Sequence, residues 1–114
     1  MKTLDDIRLS PKDRSATQAA AAVLREKFPI EQIILFGSKA RGDDDAESDI
    51  DLLVLTRDTM TSPETDAIPR VLFDLELEHH VLFSALVLRT GEWHEGVYQV
   101  LPIRREVERG GVAA

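Results

Sequence analysis

The sequence predicts a small α/β (α+β) domain in which helices pack on a mixed β-sheet. Three observations predict it: an alanine-rich helical stretch near the start, three apolar runs of strand length after it, and a second helical pattern between the last two runs. At 114 residues the chain has room for one core, so residues 1–114 are read as a single domain.

The elements follow in order. Ser10-Pro11 is a helix cap followed by proline at the first helical position, and the helix continues through SATQAAAAVLREKF until Pro29 stops it. Ile33-Ile34-Leu35-Phe36 is a continuous apolar run ended by Gly37, the pattern of a strand covered on both faces. Asp49 to Leu55 reads as a second strand. After a polar loop, Ser62-Pro63 signals a helix over about Glu64–Glu78, with Ile68, Val71, Leu72 and Leu75 at helical spacing and facing the sheet. Val81 to Leu88 is the third strand. From Glu92 the tail reads as two short helical pieces divided by Pro102 and ending at Gly110-Gly111.

Composition excludes several functional classes. With 43% hydrophobic and 31% charged residues the chain is expected to fold rather than remain disordered. A net charge of -7 disfavours strong nucleic-acid binding, because duplex affinity comes largely from lysine and arginine neutralising phosphates. The local exceptions are Lys39 and Arg41, and Arg104, Arg105 and Arg109 near the end. No cysteine is present, which removes disulfides and cysteine-ligated zinc, and neither a signal peptide nor an apolar run of membrane-spanning length is visible. The expectation is a cytoplasmic protein without a membrane partner.

The chemistry concentrates in FGSKARGDDDAESDIDLLVL, Phe36 to Leu55. Two aspartates alternate with Ile50 and Leu52 in an apolar strand, and burying a carboxylate is costly unless a cation or hydrogen-bond donors meet it. Residues two apart on a strand share a face, so Asp49 and Asp51 project together. A pair of carboxylates with open coordination positions suits magnesium, which takes one or two carboxylates together with substrate phosphates. Gly37 at a strand end allows a phosphate to approach the backbone, and Ser38 is placed to cap a short helix beginning at Lys39-Ala40-Arg41. Exposed N–H groups there would receive phosphates, with Lys39 and Arg41 adding charge at the rim.

Gly37-Ser38, ten residues, then Asp49-x-Asp51 resembles the signature of the DNA polymerase beta superfamily of nucleotidyltransferases, and the whole stretch is most similar to the minimal nucleotidyltransferase domains of prokaryotes. The alanine-rich first helix, the third strand and the ending PIRREVERGGV extend the resemblance over most of the chain. It implies the polymerase beta-like fold and transfer of a nucleoside monophosphate from a nucleoside triphosphate to an acceptor oxygen, with two Mg2+ ions. Asp49 and Asp51 would be catalytic metal ligands, and Gly37 and Ser38 would bind the nucleotide phosphates.

In such enzymes a third carboxylate lies on the next strand, where this sequence has Ser84 between Phe83 and Ala85. A hydroxyl is a weak neutral ligand, so activity is reduced or another acid substitutes, and Glu76 and Glu78 on the preceding helix are the nearest in sequence. Many stand-alone members that this chain resembles are antitoxins paired with a HEPN-domain ribonuclease toxin, which they silence by adding AMP from ATP to a tyrosine. The resemblance therefore implies a protein adenylyltransferase with a HEPN partner. The alternative is a catalytically weakened domain that neutralises its partner by complex formation. A small sheet leaves the site short of walls, so a homo- or hetero-oligomer is expected.

Other features carry simpler readings. Asp43, Asp44, Asp45 and Glu47 lack the spacing of a calcium loop and read as a solvated acidic loop. Arg41 is balanced between phosphate contact and pairing with that loop. His79-His80 and His94 lack zinc spacing, the histidine pair marking a helix-to-strand turn, while Trp93 and Tyr98 are read as packing residues.

Overall fold

A computed structural model describes residues 1–114. The elements are β1 (Lys2–Thr3), α1 (Pro11–Lys27), β2 (Ile30–Phe36), α2 (Gly37–Arg41), β3 (Ile50–Thr56), α3 (Ser62–His79), β4 (Phe83–Arg89), α4 (Thr90–His94), α5 (Pro102–Gly110) and β5 (Val112–Ala113). The strands form one mixed sheet in the order β1-β5-β2-β3-β4. β2 runs antiparallel to β3 and β5, while β3–β4 and β1–β5 are parallel.

The capping signals explain the helix starts. Ser10 accepts the Asp13 N–H at 3.1 Å ahead of Pro11, satisfying a donor that the first turn leaves open. At α3 the cap is Thr61, one residue before the Ser-Pro signal, and Glu64 closes a capping box by accepting the Thr61 N–H at 3.0 Å. The helix ends at His80, whose left-handed φ of 57° turns the chain toward β4, as the histidine pair predicts.

Each face of the sheet buries its own cluster. On one side Ile33, Leu35, Ile50, Leu52 and Val54 pack against Ala16, Ala20 and Leu24 of α1 and Ile68, Leu72 and Leu75 of α3. On the other, Ile34, Leu53, Leu55 and Leu88 meet Trp93 of α4 and Val107 of α5. Buried side chains of this size each contribute about 1.5–3 kcal/mol of transfer free energy. The small alanines let α1 lie close to the sheet. β3 is covered on both sides and lies between β2 and β4, so Asp51 stands in an interior strand of the sheet.

Three expectations need correction. The sheet has five strands rather than three, because Lys2–Thr3 and Val112–Ala113 pair beside β2. Two-residue segments carry no periodicity, and only tertiary proximity selects them. The tail also holds more than two helical pieces: α4, a 3-10 turn over Gly96–Gln99 and α5, followed by β5. Finally, β3 starts at Ile50, so Asp49 belongs to the incoming loop, while Asp51 lies within the strand.

Candidate functional site

The site forms where β2 and β3 end together. Phe36 pairs with Asp51, so the next residue, Gly37, turns directly over the Asp51 side chain. Gly37 has φ +74°, a conformation that disfavours any side chain. A Cβ there would overlap Asp51 Oδ2 and stand 3.1 Å from its Cγ. The glycine is therefore required twice, by its backbone angle and by the carboxylate lying against it.

Asp51 shares its face with Leu53 and Leu55, hence with Trp93 and Val107 rather than with α1 and α3. Burial pushes its carboxyl above the ordinary aspartate range, and the charges of Asp49 and then Glu106 push the same way, against the weaker pull of Arg41 and Lys39. Two carboxylates thus crowd a partly dry site that is short of positive charge. Ser84 pairs with Asp51 in the parallel β3–β4 register and is exposed, so the position beside Asp51 presents a hydroxyl. No third His, Cys, Asp or Glu completes a metal-holding group. Glu76 is engaged elsewhere, its Oε2 accepting the Phe83 N–H at 2.7 Å, and Glu78 is exposed on α3, across the sheet from Asp51.

The loop between Ser38 and Asp49 differs from expectation in two respects. Phe36, not Ser38, is the cap residue of α2, and Ser38 makes no side-chain capping bond because the helix already starts at Gly37. Lys39 is not a rim cation: it is 3% exposed, with Nζ 2.7 Å from Asp13 and 3.2 Å from Asp44. Burial alone would lower its ammonium pKa, but the bonds and charges of Asp13 and Asp44 outweigh this and raise it. Lys39 ties α2 and the acidic loop to α1. Asp43, Asp45 and Glu47 are exposed, as expected, with a turn at Asp45, whose Oδ1 accepts the Glu47 N–H at 2.9 Å.

Arg41 pairs with Asp43 at 3.1 Å and with Glu106 of α5 at 2.8 Å. Arg109 stands out in the sequence only as one of the basic residues near the end, and Glu106 not at all; neither is placed beside the glycine turn by the sequence. The signal available was the Ile103/Val107 helical repeat, which turns Glu106 and Arg109 away from the core without revealing that α5 lies beside α2. Trp93 is buried, as the packing reading holds, and the Arg104 guanidinium lies 4.9 Å from its ring centroid.

A family model described as polymerase beta, nucleotidyltransferase matches residues 18–90, which include the glycine-serine turn, both aspartates and β4. The chain belongs to the polymerase beta nucleotidyltransferase family. It is 33% identical over 89 residues to MJ0141 of Methanocaldococcus jannaschii, named as a candidate protein adenylyltransferase, covering 78% of this chain and 82% of that one. A second such protein of the same organism, MJ1379, is 39% identical over 54 residues, 47% of this chain and 48% of the relative.

Solved structures share the nucleotidyltransferase fold. One described as a candidate minimal nucleotidyltransferase superposes with a TM-score of 0.60 at 22% identity, covering 87% of this chain and 89% of that one. Another, described as a toxin-antitoxin with AMP-PNP, has a TM-score of 0.58 at 19% identity, covering 87% and 69%. No helix is long and apolar enough to cross a membrane.

Proposed function

We propose that this protein is a Mg2+-dependent adenylyltransferase that moves AMP from ATP to a hydroxyl of a partner protein, as the antitoxin of a HEPN/MNT pair. The observation that carries the reading is the Asp51 carboxylate seated on the Gly37 backbone beside Asp49. The donor set fits a hard divalent cation: two carboxylates with no soft ligand, Asp51 being held above the ordinary aspartate range by burial and then by the charges of Asp49 and Glu106. Asp49 and Asp51 would hold Mg2+, which would stabilise charge on the reacting phosphates.

The remaining roles belong to the chain. Gly37 and Ser38 would clamp the phosphates, and Arg41 would add a cation to them. The acceptor oxygen would form a bond to the α-phosphorus while the bond to the β-phosphate oxygen breaks and pyrophosphate leaves. The acceptor proton would pass to water or to a base of the partner, since Ser84 is no base at neutral pH. The residues 1–114 would act as one domain, with the partner or a second copy walling the site.

Ser84 beside Asp51 favours a second reading, in which the domain neutralises its partner by complex formation with little or no transfer. Incubation with Mg2+ and α-labelled ATP, with and without a HEPN-domain partner, separates the two. Label on the partner that disappears with Asp49→Asn supports transfer. Tight complex formation without label sinks it. Where label is transferred, Ser84→Asp should raise the rate about a hundredfold or more, in line with the value of a positioned proton acceptor.

A further inference from the structure

A cavity of about 360 Å3 opens over the glycine turn, lined by Gly37, Arg41, Glu106, Arg109 and Gly110. Gly37 lines it, and the Asp51 carboxylate lies against the same glycine. Two guanidinium groups and one carboxylate supply all its charged side chains. The cavity continues past Arg41 and Arg109 toward Lys2, along a second hollow of about 750 Å3. The lining is cationic except for the glutamates of α5, in a protein whose net charge is -7.

The ion pairs divide unevenly. Arg41 is held by Asp43 and Glu106, whereas Arg109 has no carboxylate within ion-pair distance. The Arg41 and Glu106 side chains are 49% and 43% exposed, so their bond is solvated and weak enough for another oxyanion to displace. A phosphate offers a guanidinium the same charge-assisted contact as a carboxylate, with more charge and more acceptor oxygens. Glu106 thus stands where an oxyanion ligand of Arg41 would stand.

We propose that Arg109 and Arg41 form a subsite for the outer phosphates of a nucleoside triphosphate, and that Glu106 occupies this subsite when no nucleotide is bound. The proposal rests on the reading of Gly37-Ser38 as the phosphate clamp and adds α5 to the nucleotide site. It assigns Glu106 a sign opposite to that of a substitute third metal ligand. As a competitor, Glu106 weakens polyanion binding; as a ligand, it would strengthen metal-nucleotide binding. It also makes Arg109 a contact supplied by α5, so the tail helix takes part in holding the phosphates.

The test is isothermal titration of inorganic tripolyphosphate without metal, and of ATP with Mg2+, into the full chain. Variants are Glu106→Gln, Arg109→Gln and, as a control for net charge, Glu78→Gln on the opposite side of the sheet. The expected result is tripolyphosphate binding that tightens about three- to fivefold in Glu106→Gln, the equivalent of one partly exposed ion pair. It should weaken by a similar factor in Arg109→Gln and stay unchanged in Glu78→Gln. Weaker or unchanged binding in Glu106→Gln, or equal tightening in Glu78→Gln, overturns the proposal. If Arg109→Gln binds like the wild type, the subsite is wrong even should Glu106→Gln tighten. The expected pattern with tripolyphosphate, accompanied by no transfer of label from ATP to any partner, leaves the subsite standing and removes the transferase reading instead.

Discussion

Replacing Gly37 by alanine separates the two demands made on that residue. Alanine at φ +74° is strained by about 1–2 kcal/mol, the cost of left-handed backbone for a residue with a Cβ. The new methyl also overlaps Asp51 Oδ2, with Cγ at 3.1 Å and Cβ at 3.4 Å behind it. Asp51 has only two side-chain torsions, so its carboxylate must swing by about 1 Å to restore van der Waals separation. Metal ligands tolerate displacements of only about 0.2 Å, and a misplacement of about 1 Å in a reacting group lowers rate by about a hundredfold. Gly42→Ala is the matched control: Gly42 has φ +83° but nothing within 4 Å of an added Cβ. Denaturant melts should show a loss of about 1–2 kcal/mol in Gly42→Ala and a larger one in Gly37→Ala, where the overlap with Asp51 adds to the backbone strain. Mn2+ affinity, measured by titration, should fall by about ten- to a hundredfold in Gly37→Ala and stay within a few-fold of wild type in Gly42→Ala. Equal metal affinities in the two variants would refute the assignment of Asp51 as a ligand pressed against the turn.

Lys39→Met should destabilise the fold by about 3 kcal/mol, because Asp13 is left buried with an unpaired charge while Asp44 regains water. Since the folded Lys39 pKa is raised, its contribution is complete below the free-lysine range and lost as pH rises through the folded value; wild-type and variant stabilities should converge in alkali. Asp51→Asn should abolish Mn2+ binding yet leave the metal-free protein no less stable at pH 7, read in urea melts, because a carboxylate penalised by burial and then by the charges of Asp49 and Glu106 is removed. The raised Asp51 pKa has the reverse pH consequence of a salt-bridged aspartate. The penalty for its charge is absent below the unfolded pKa and develops as pH rises through the folded one, and Mn2+ affinity should fall on acidification at a higher pH than for an ordinary carboxylate. Trp93→Ala should cost about 3–5 kcal/mol by circular dichroism melts, since the ring fills the smaller cluster and seats Arg104.

Local rules were enough for much of this protein. Ser10-Pro11 and Pro29 bracket α1 because capping and the missing proline N–H act within a few residues. Ile68, Leu72 and Leu75 fall on one helical face because periodicity is a property of the chain alone. The glycine, the serine and the two aspartates stand out in the sequence because polar residues at this spacing interrupt an otherwise apolar strand, and the family match over residues 18–90 includes them.

The tertiary structure decided everything that depends on which segments meet. Lys39 and Arg41 look alike in sequence, yet one is buried between Asp13 and Asp44, 26 and 5 residues away, and the other reaches Glu106, 65 residues away. Charge pairing has no period and no fixed separation along the chain, so neither assignment could be read in advance. The same holds for β1 and β5, two residues each, which become strands only because α5 returns the chain to the edge of β2. Ser84 illustrates both levels: its residue type was visible in the sequence, but its place directly beside Asp51 is set by the parallel register of β3 and β4, which the α3 crossover determines.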